Sequence, residues 1–159
     1  MSLILIAILA VAFYVAAISV LVFRLQPPLI SSSYVQTKNP SIYITLYAGE
    51  TSSGRLGFGD SSTNLSSPGP TLRLKISDVV SLTLVNVGKM PHAFAVASMP
   101  TASGRVLFNA KIASATNPLE PGQSGTVVFA PDNAGTFYYI CPVPGHSDSG
   151  MYGAVVVTG

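Results

Sequence analysis

The sequence predicts an all-β domain, an antiparallel β-sandwich or barrel, preceded by one N-terminal transmembrane helix. Three observations lead there. Residues 1–23 (MSLILIAILAVAFYVAAISVLVF) carry no charged side chain, and Arg24 ends the run. From Ser41 onward apolar residues recur with period two, and no segment shows a capped stripe of helical period. Clusters of Gly, Pro, Ser, Asn and Asp separate the alternating runs, as in sandwiches and barrels.

At about 1.5 Å per residue, residues 1–23 are long enough to cross the roughly 30 Å hydrocarbon core with some tilt. A cleaved signal peptide calls for a basic start and a shorter apolar stretch, so a retained anchor is expected. Residues 24–40 follow as a linker, stiffened by Pro27-Pro28, loosened by Ser31 to Ser33 and turned at Asn39-Pro40. At ~3.1 Å per residue in its extended parts, this tether lifts the domain some tens of ångströms from the bilayer. Residues 41–159 form the domain.

Within the domain, Ile42, Ile44 and Leu46 alternate with Tyr43, Thr45 and Tyr47 as a first strand. Residues 49–70, rich in Gly, Ser and Pro, read as a long loop that holds a short strand at Leu56-Gly57-Phe58. Residues 71–76 and 79–86 are two β-rich runs, expected to form a hairpin about Ser77-Asp78. Phe94 and Val96 mark a strand over residues 92–98. Residues 126–130 and 136–141 flank a turn at 131–135, and residues 151–158 close the domain as a valine-rich strand. Asn64-Leu65-Ser66 is a glycosylation sequon, a pattern that also arises by chance.

The composition narrows the function classes. Only 9% of residues are charged, against ~25% in a typical soluble domain. Ser and Thr take the surface positions instead, which suits either an acidic exterior or a surface covered by partner subunits. A net charge of +2, scattered along the chain, gives no footprint for nucleic acid. A single Cys excludes an intramolecular disulfide. In an exported protein that thiol is a liability unless something, such as a metal, holds it.

The segment Cys141-Pro-Val-Pro-Gly-His146-Ser-Asp-Ser-Gly-Met151 places a thiolate, an imidazole and a thioether on one short loop. With His92 these make up the ligand set of a mononuclear blue-copper site: two His, one Cys and a weak axial Met. Taken singly, each has a plainer reading. A lone His is more often structural, a buried Cys is usually inert packing, and a Met at the start of a strand is ordinarily core. Their joint placement changes the weighing. A loop whose ends lie on adjacent strands returns both sulfurs to one place, with the imidazole between them. Pro142 and Pro144 stiffen it, and Gly145 permits a tight approach before His146.

Scarcity limits the chemistry further. A binuclear copper centre needs two Cys, and a second catalytic copper needs more His than the two present. A Cys141–His146 nucleophilic pair would depend on Asp148 for orientation, across a Pro-rich loop poorly suited to it. Oxygen-seeking ions such as Mg or Ca find no site of their kind here.

The spacing C-x4-H-x4-M, preceded by Gly135-Thr-Phe-Tyr-Tyr-Ile140 and running into Met151-Tyr-Gly-Ala-Val-Val-Val157, resembles the copper loop of rusticyanins and sulfocyanins. These are type 1 cupredoxins of acidophile respiratory chains. Plastocyanin-like relatives have a shorter Cys–His interval, and azurin-like ones a shorter His–Met interval. A looser resemblance covers residues 68–96, where Pro-Gly-Pro-Thr-Leu-Arg-Leu-Lys75 and the run Val80 to Asn86 lead to the first His.

The resemblance implies a cupredoxin Greek-key fold and one type 1 copper, with His92, Cys141 and His146 as equatorial ligands and Met151 as the long axial one. The anchor favours the sulfocyanin side. The implied function is a membrane-anchored electron carrier, not an enzyme, between a membrane-bound bc-type or equivalent donor complex and a terminal oxidase. Its domain would lie on the extracellular or periplasmic side of the cell membrane, tied to the bilayer by residues 1–23. No small-molecule substrate is implied. A non-catalytic copper subunit of an oxidase supercomplex and a copper delivery protein are the alternatives.

Met90 and Met99 are expected, with Pro91, Pro100, Val143 and Pro144, to form an apolar rim around a partly exposed His146. One departure stands out. Many cupredoxins place Asn or Ser after the first His to tie the ligand segments together, whereas this chain has Ala93. The N–H groups of Ala93 and Val143 remain as donors to the thiolate.

Overall fold

Alternation of apolar and polar residues becomes ten strands in a computed structural model that describes residues 39–159. The expected transmembrane helix 1–23 and all but the last two residues of the linker lie outside the described residues. Among the described residues no helix is long and apolar enough to cross a membrane.

One sheet contains β1 (Ile42–Glu50), β2 (Leu56–Ser61), β3 (Asn64–Ser66), β5 (Val80–Asn86) and β8 (Ser124–Phe129), in the order β3-β2-β1-β5-β8. The other contains β4 (Leu72–Lys75), β6 (Phe94–Ala97), β7 (Val106–Ile112), β9 (Gly135–Ile140) and β10 (Tyr152–Thr158), in the order β4-β10-β9-β6-β7. Strand period decides which side chains fill the space between them. Val80, Leu82 and Leu84 of β5 meet Leu72 and Leu74 of β4 and Val155 and Val157 of β10 in one core. Phe58, Phe94, Val96 and Tyr139 complete its centre. Each such side chain stabilises the fold by about 1.5–3 kcal/mol relative to exposure. Strand β6 is buried along its whole length, because Ala95 and Ala97 pack with Ile140 beneath Tyr138 and Tyr152 on its other face.

The all-β sandwich is as expected, but its pairing is not wholly antiparallel. Strand β1 runs parallel to β5, and β10 parallel to β4. Both follow from chain crossings between the sheets. Ser77-Asp78 is not a hairpin turn, since β4 and β5 lie in opposite sheets. Asp78 closes this crossing: its Oδ2 accepts the Lys75 N–H at 2.7 Å, and its own N–H donates to the Lys75 carbonyl at 3.0 Å. The turn at 131–135 likewise carries the chain from β8 in one sheet to β9 in the other. Alternation identifies an inward face, but two inward faces meet equally well across a core.

The segment 49–70, read as a loop with one short strand at 56–58, holds two: β2 extends the expected strand to Ser61, and β3 pairs with it. Gly57 and Gly59 weaken the strand signal there, yet they are what lets β3 approach: an added β-carbon would run into the Ser66 or Asn64 carbonyl. The chain between residues 98 and 125, to which the sequence reading gave no element, contributes β7. Its alternation is interrupted by positive φ at Phe108 (56°) and Asn109 (51°).

Gly153 faces Tyr139 across the β9–β10 pair, and a β-carbon there would enter the Tyr139 ring. That ring is wedged against Phe58 and Phe94, with centroids 5.1 and 5.9 Å away, and its hydroxyl donates to the Pro70 carbonyl at 2.6 Å. Gly153→Ala is therefore expected to lower stability by about 1–3 kcal/mol in chemical denaturation.

Candidate metal centre

Three strands deliver the ligand residues to one pole of the sandwich. Strand β9 ends at Ile140, which pairs with Tyr152 at the start of β10, so Cys141 and Met151 come face to face just beyond the ladder. The Cys141 N–H donates to the Met151 carbonyl at 3.1 Å, which closes the loop between them. Inside the loop Gly145 adopts φ 81°, a conformation a side chain resists. His146 then donates its N–H to the Val143 carbonyl at 3.1 Å, and its carbonyl accepts the Met151 N–H at 3.0 Å. The loop is folded on its own backbone, with the imidazole held at its centre.

His92 arrives from β5 by way of residues 87–91. Its N–H donates to the Leu119 carbonyl at 3.0 Å, and its own carbonyl accepts the Leu119 N–H at 2.7 Å. Asn86, wholly buried at the end of β5, locks this approach. Its Nδ2 donates to the carbonyls of Met90 (2.8 Å) and Leu119 (2.9 Å), and its Oδ1 accepts the Gly88 N–H at 3.0 Å. The bracing absent at Ala93 is thus supplied from the other side of His92, by Asn86 and Leu119. Sequence reasoning missed both. The available signal was an Asn closing an otherwise alternating strand, six positions before the His.

The ligand atoms of His92, Cys141 and His146 all lie within 4.8 Å of one another. The Cys141 Sγ is 3.4 Å from the His146 Nδ1 and 4.0 Å from the His92 Nδ1. With bonds of about 2.3 Å to sulfur and about 2.0–2.1 Å to nitrogen, as known for zinc, a shared metal separates the two atom types by roughly 3.3–3.8 Å. The residues fit such an ion with little movement. The two rings stand with centroids 5.2 Å apart, inclined at 63°. Cys141, Met151 and His92 are fully buried, and His146 is 5% exposed, less than the partly exposed edge expected.

Ala93 donates its N–H to the thiol sulfur at 3.4 Å, as expected of it. Burial pushes the Cys141 thiol upward, while the N–H groups of Ala93 and Val143 pull it back. Burial also depresses both imidazoles. For His92 the value falls to about 4, with His146 adding to the effect and Glu50 opposing it. The resting site therefore holds two neutral imidazoles and a thiol whose proton a metal must displace.

The four expected residues share this pole, but only part of the expected rim does. Met90 is exposed beside His92. Met99 follows β6 beyond the Ala97–Tyr138 pair, and the adjoining Ser98 lines a cavity with Thr136 and Phe137, down the sheet from Cys141. Met99 and Pro100 thus belong to another region of the surface.

The family profile described as the Sulfocyanin (SoxE) domain matches residues 31–159. This chain belongs to the sulfocyanin family. Rusticyanin from Acidithiobacillus ferrooxidans is 32% identical over 93 residues, covering 55% of this chain and 50% of that protein. A copper-containing nitrite reductase from Alcaligenes xylosoxydans xylosoxydans is 37% identical over 100 residues, 59% of this chain and 28% of that enzyme. The chain thus spans about a quarter to a half of the length of these curated relatives. Among solved structures, auracyanin B superposes with a TM-score of 0.56 at 21% identity, covering 77% of this chain and 92% of that one. A rusticyanin structure from Thiobacillus ferrooxidans gives 0.53 at 22%, covering 73% and 77%. These likenesses establish the fold as cupredoxin-like.

In this sulfocyanin-family chain His92, Cys141, His146 and Met151 form a type 1 copper site. Two outcomes follow from its construction. Asn86→Ala leaves buried carbonyls unpaired, at about 1–3 kcal/mol, and lets His92 drift; denaturation and copper titration are expected to show weaker folding and weaker binding together. In the metal-free protein, His92 titrates near 6.5 when unfolded and near 4 when folded. The unfolded chain therefore binds more protons between these values, so stability is full above pH 6.5 and declines as pH falls toward 4. Thermal unfolding of the metal-free protein across that range should show the fall, and His92→Gln should reduce it to the share that the buried His146 contributes.

Proposed function

We propose that this chain is a membrane-anchored, one-electron blue-copper carrier, working between a membrane-bound respiratory donor complex and a terminal oxidase. The observation that carries this reading is the convergence of a thiol and two imidazoles within 4.8 Å in a buried, hydrogen-bonded pocket beside Met151. His92, Cys141, His146 and Met151 would hold the copper between them. Copper bound there would supply a Cu(I)/Cu(II) couple. The protein's part is to keep water away, hold the ligands still and offer N–H donors to the thiolate. Rigid ligands favour electron transfer, because little has to move when the charge changes.

Residues 1–23 support the anchor, being uncharged and of spanning length. Strand β1 enters the domain at Ile42, paired with Val80, and reaches the metal pole only at Glu50. Nine residues at about 3.3 Å each place the point of attachment roughly 30 Å from the ligand pole. In this reading the domain lies on the outer face of the cell membrane. The similarity to nitrite reductases raises a catalytic reading. Both histidines of the chain already belong to one site, which leaves none for a second, catalytic copper.

The copper-loaded protein should show intense thiolate-to-copper absorption and a narrow hyperfine EPR signal, both lost in Cys141→Ser. Metal bound without colour would sink the proposal. Flotation of the full chain with lipid vesicles tests the anchor. Stopped-flow reduction by donor membranes, against metal transfer to a metal-free oxidase, separates a carrier from a delivery protein.

A further inference from the structure

The outer nitrogen of His92 is an anomaly in a pocket otherwise closed by hydrogen bonds. Nδ1 faces the thiol of Cys141, while Nε2 is buried and has no hydrogen-bond partner. An imidazole bound to metal through Nδ1 must carry its proton on Nε2, and a buried donor left unpaired costs about 1–3 kcal/mol.

One anionic group lies within reach. Glu50 ends β1, and both its carboxylate oxygens accept the Lys89 N–H, at 3.1 and 3.0 Å. A β-carbon on Gly88 would lie 2.8 Å from the Glu50 Oε2 and 3.2 Å from the His92 Nε2. The carboxylate and the unpaired nitrogen thus face one point and are at most about 6 Å apart, a separation that one water or a small side-chain rotation spans. Gly88 is what leaves that space open. Its β-carbon would also press on the Gly49 α-carbon at 2.7 Å, so paired glycines bring the end of β1 against the segment carrying His92.

We infer that Glu50 is the positioning partner of His92, accepting a hydrogen bond from its Nε2–H directly or through one water and thereby fixing the ring with Nδ1 toward the thiolate. This rests on the copper reading above. Metal-bound histidines commonly hand their second N–H to a carboxylate, which fixes the tautomer and raises ligand basicity. Glu50 already acts on the ring electrostatically, favouring its cationic form. The same negative charge favours Cu(II) over Cu(I), so its removal raises the potential. Glu50 differs from the Ala93 and Val143 donors because it sets charge as well as orientation.

Glu50→Gln separates this role from a purely structural one, since Gln retains an acceptor for the Lys89 N–H but loses the charge. In the full-length, copper-loaded chain, Glu50→Gln should shift the redox equilibrium toward Cu(I) by about tenfold, or about 59 mV for one electron. Its Cu(II) affinity should fall about 10–100-fold. In the Cu(I) form of the unsubstituted protein, NMR should find a slowly exchanging His92 Nε2–H. An unmoved potential and affinity in Glu50→Gln would overturn the inference. So would the lack of a protected Nε2–H in the unsubstituted protein, a measurement that holds whether or not the variant folds. A blue protein failing these tests refutes the role of Glu50 alone, whereas a colourless one refutes the copper reading with it.

Discussion

The antiparallel register of β9 and β10 is the constraint on which the metal pole depends. Pairing Ile140 with Tyr152 leaves Cys141 and Met151 as the next residues on each strand, and the Cys141 N–H bonded to the Met151 carbonyl fixes their separation. A slip of one residue would turn either side chain to the opposite face. Glycine at 153 holds the register by admitting the Tyr139 ring, which Phe58 and Phe94 then grip from the core. The same packing that stabilises the sandwich therefore sets the distance between the two sulfur residues. Core and site are one mechanical unit.

Burial has opposite consequences for the three close ligands. It makes both imidazoles easier to keep neutral and the thiol harder to ionise. A pocket that merely excluded water would hold a protonated thiol and bind metal poorly. Neutral backbone donors correct this: Ala93 points its N–H at the sulfur, and Val143 adds a second. Backbone donors bring no counter-charge and no titration of their own. Their placement comes from the segments that carry the ligands, since Ala93 follows His92 and Val143 precedes His146. A small residue at 93 is compatible with this because Asn86 and Leu119 hold His92 from behind.

Much of the site was legible because its chemistry is local in sequence. Cys141, His146 and Met151 lie within one loop, and the scarcity of Cys and His left few other assignments. Strand positions were legible where alternation is clean, as in β1, β5 and β10. Partnership was not, since period two records an inward face and says nothing of the sheet it belongs to. That is why Ser77-Asp78 read as a hairpin when it is a crossing between sheets. Strand β2 was read too short, and β3 and β7 escaped notice, where glycines and positive φ angles interrupt the alternation. The supports of His92 were hidden for a related reason. Leu119, between β7 and β8, and Glu50, at the end of β1, come from segments remote in sequence that only folding brings together.

Low charge and a closed pocket have a common physical logic. With 9% charged residues, the domain relies little on ion pairs, whose carboxylate partners are lost on protonation. Its metal pole is held by backbone carbonyls, backbone N–H groups and one buried amide, none of which titrates over ordinary pH. Against that background a carboxylate within reach of a buried ligand nitrogen is conspicuous. The lysine amide that both Glu50 oxygens accept keeps the group oriented. A metal pole otherwise held by neutral dipoles thus carries one negative charge behind its first histidine, where a small change in charge has the greatest leverage on the metal.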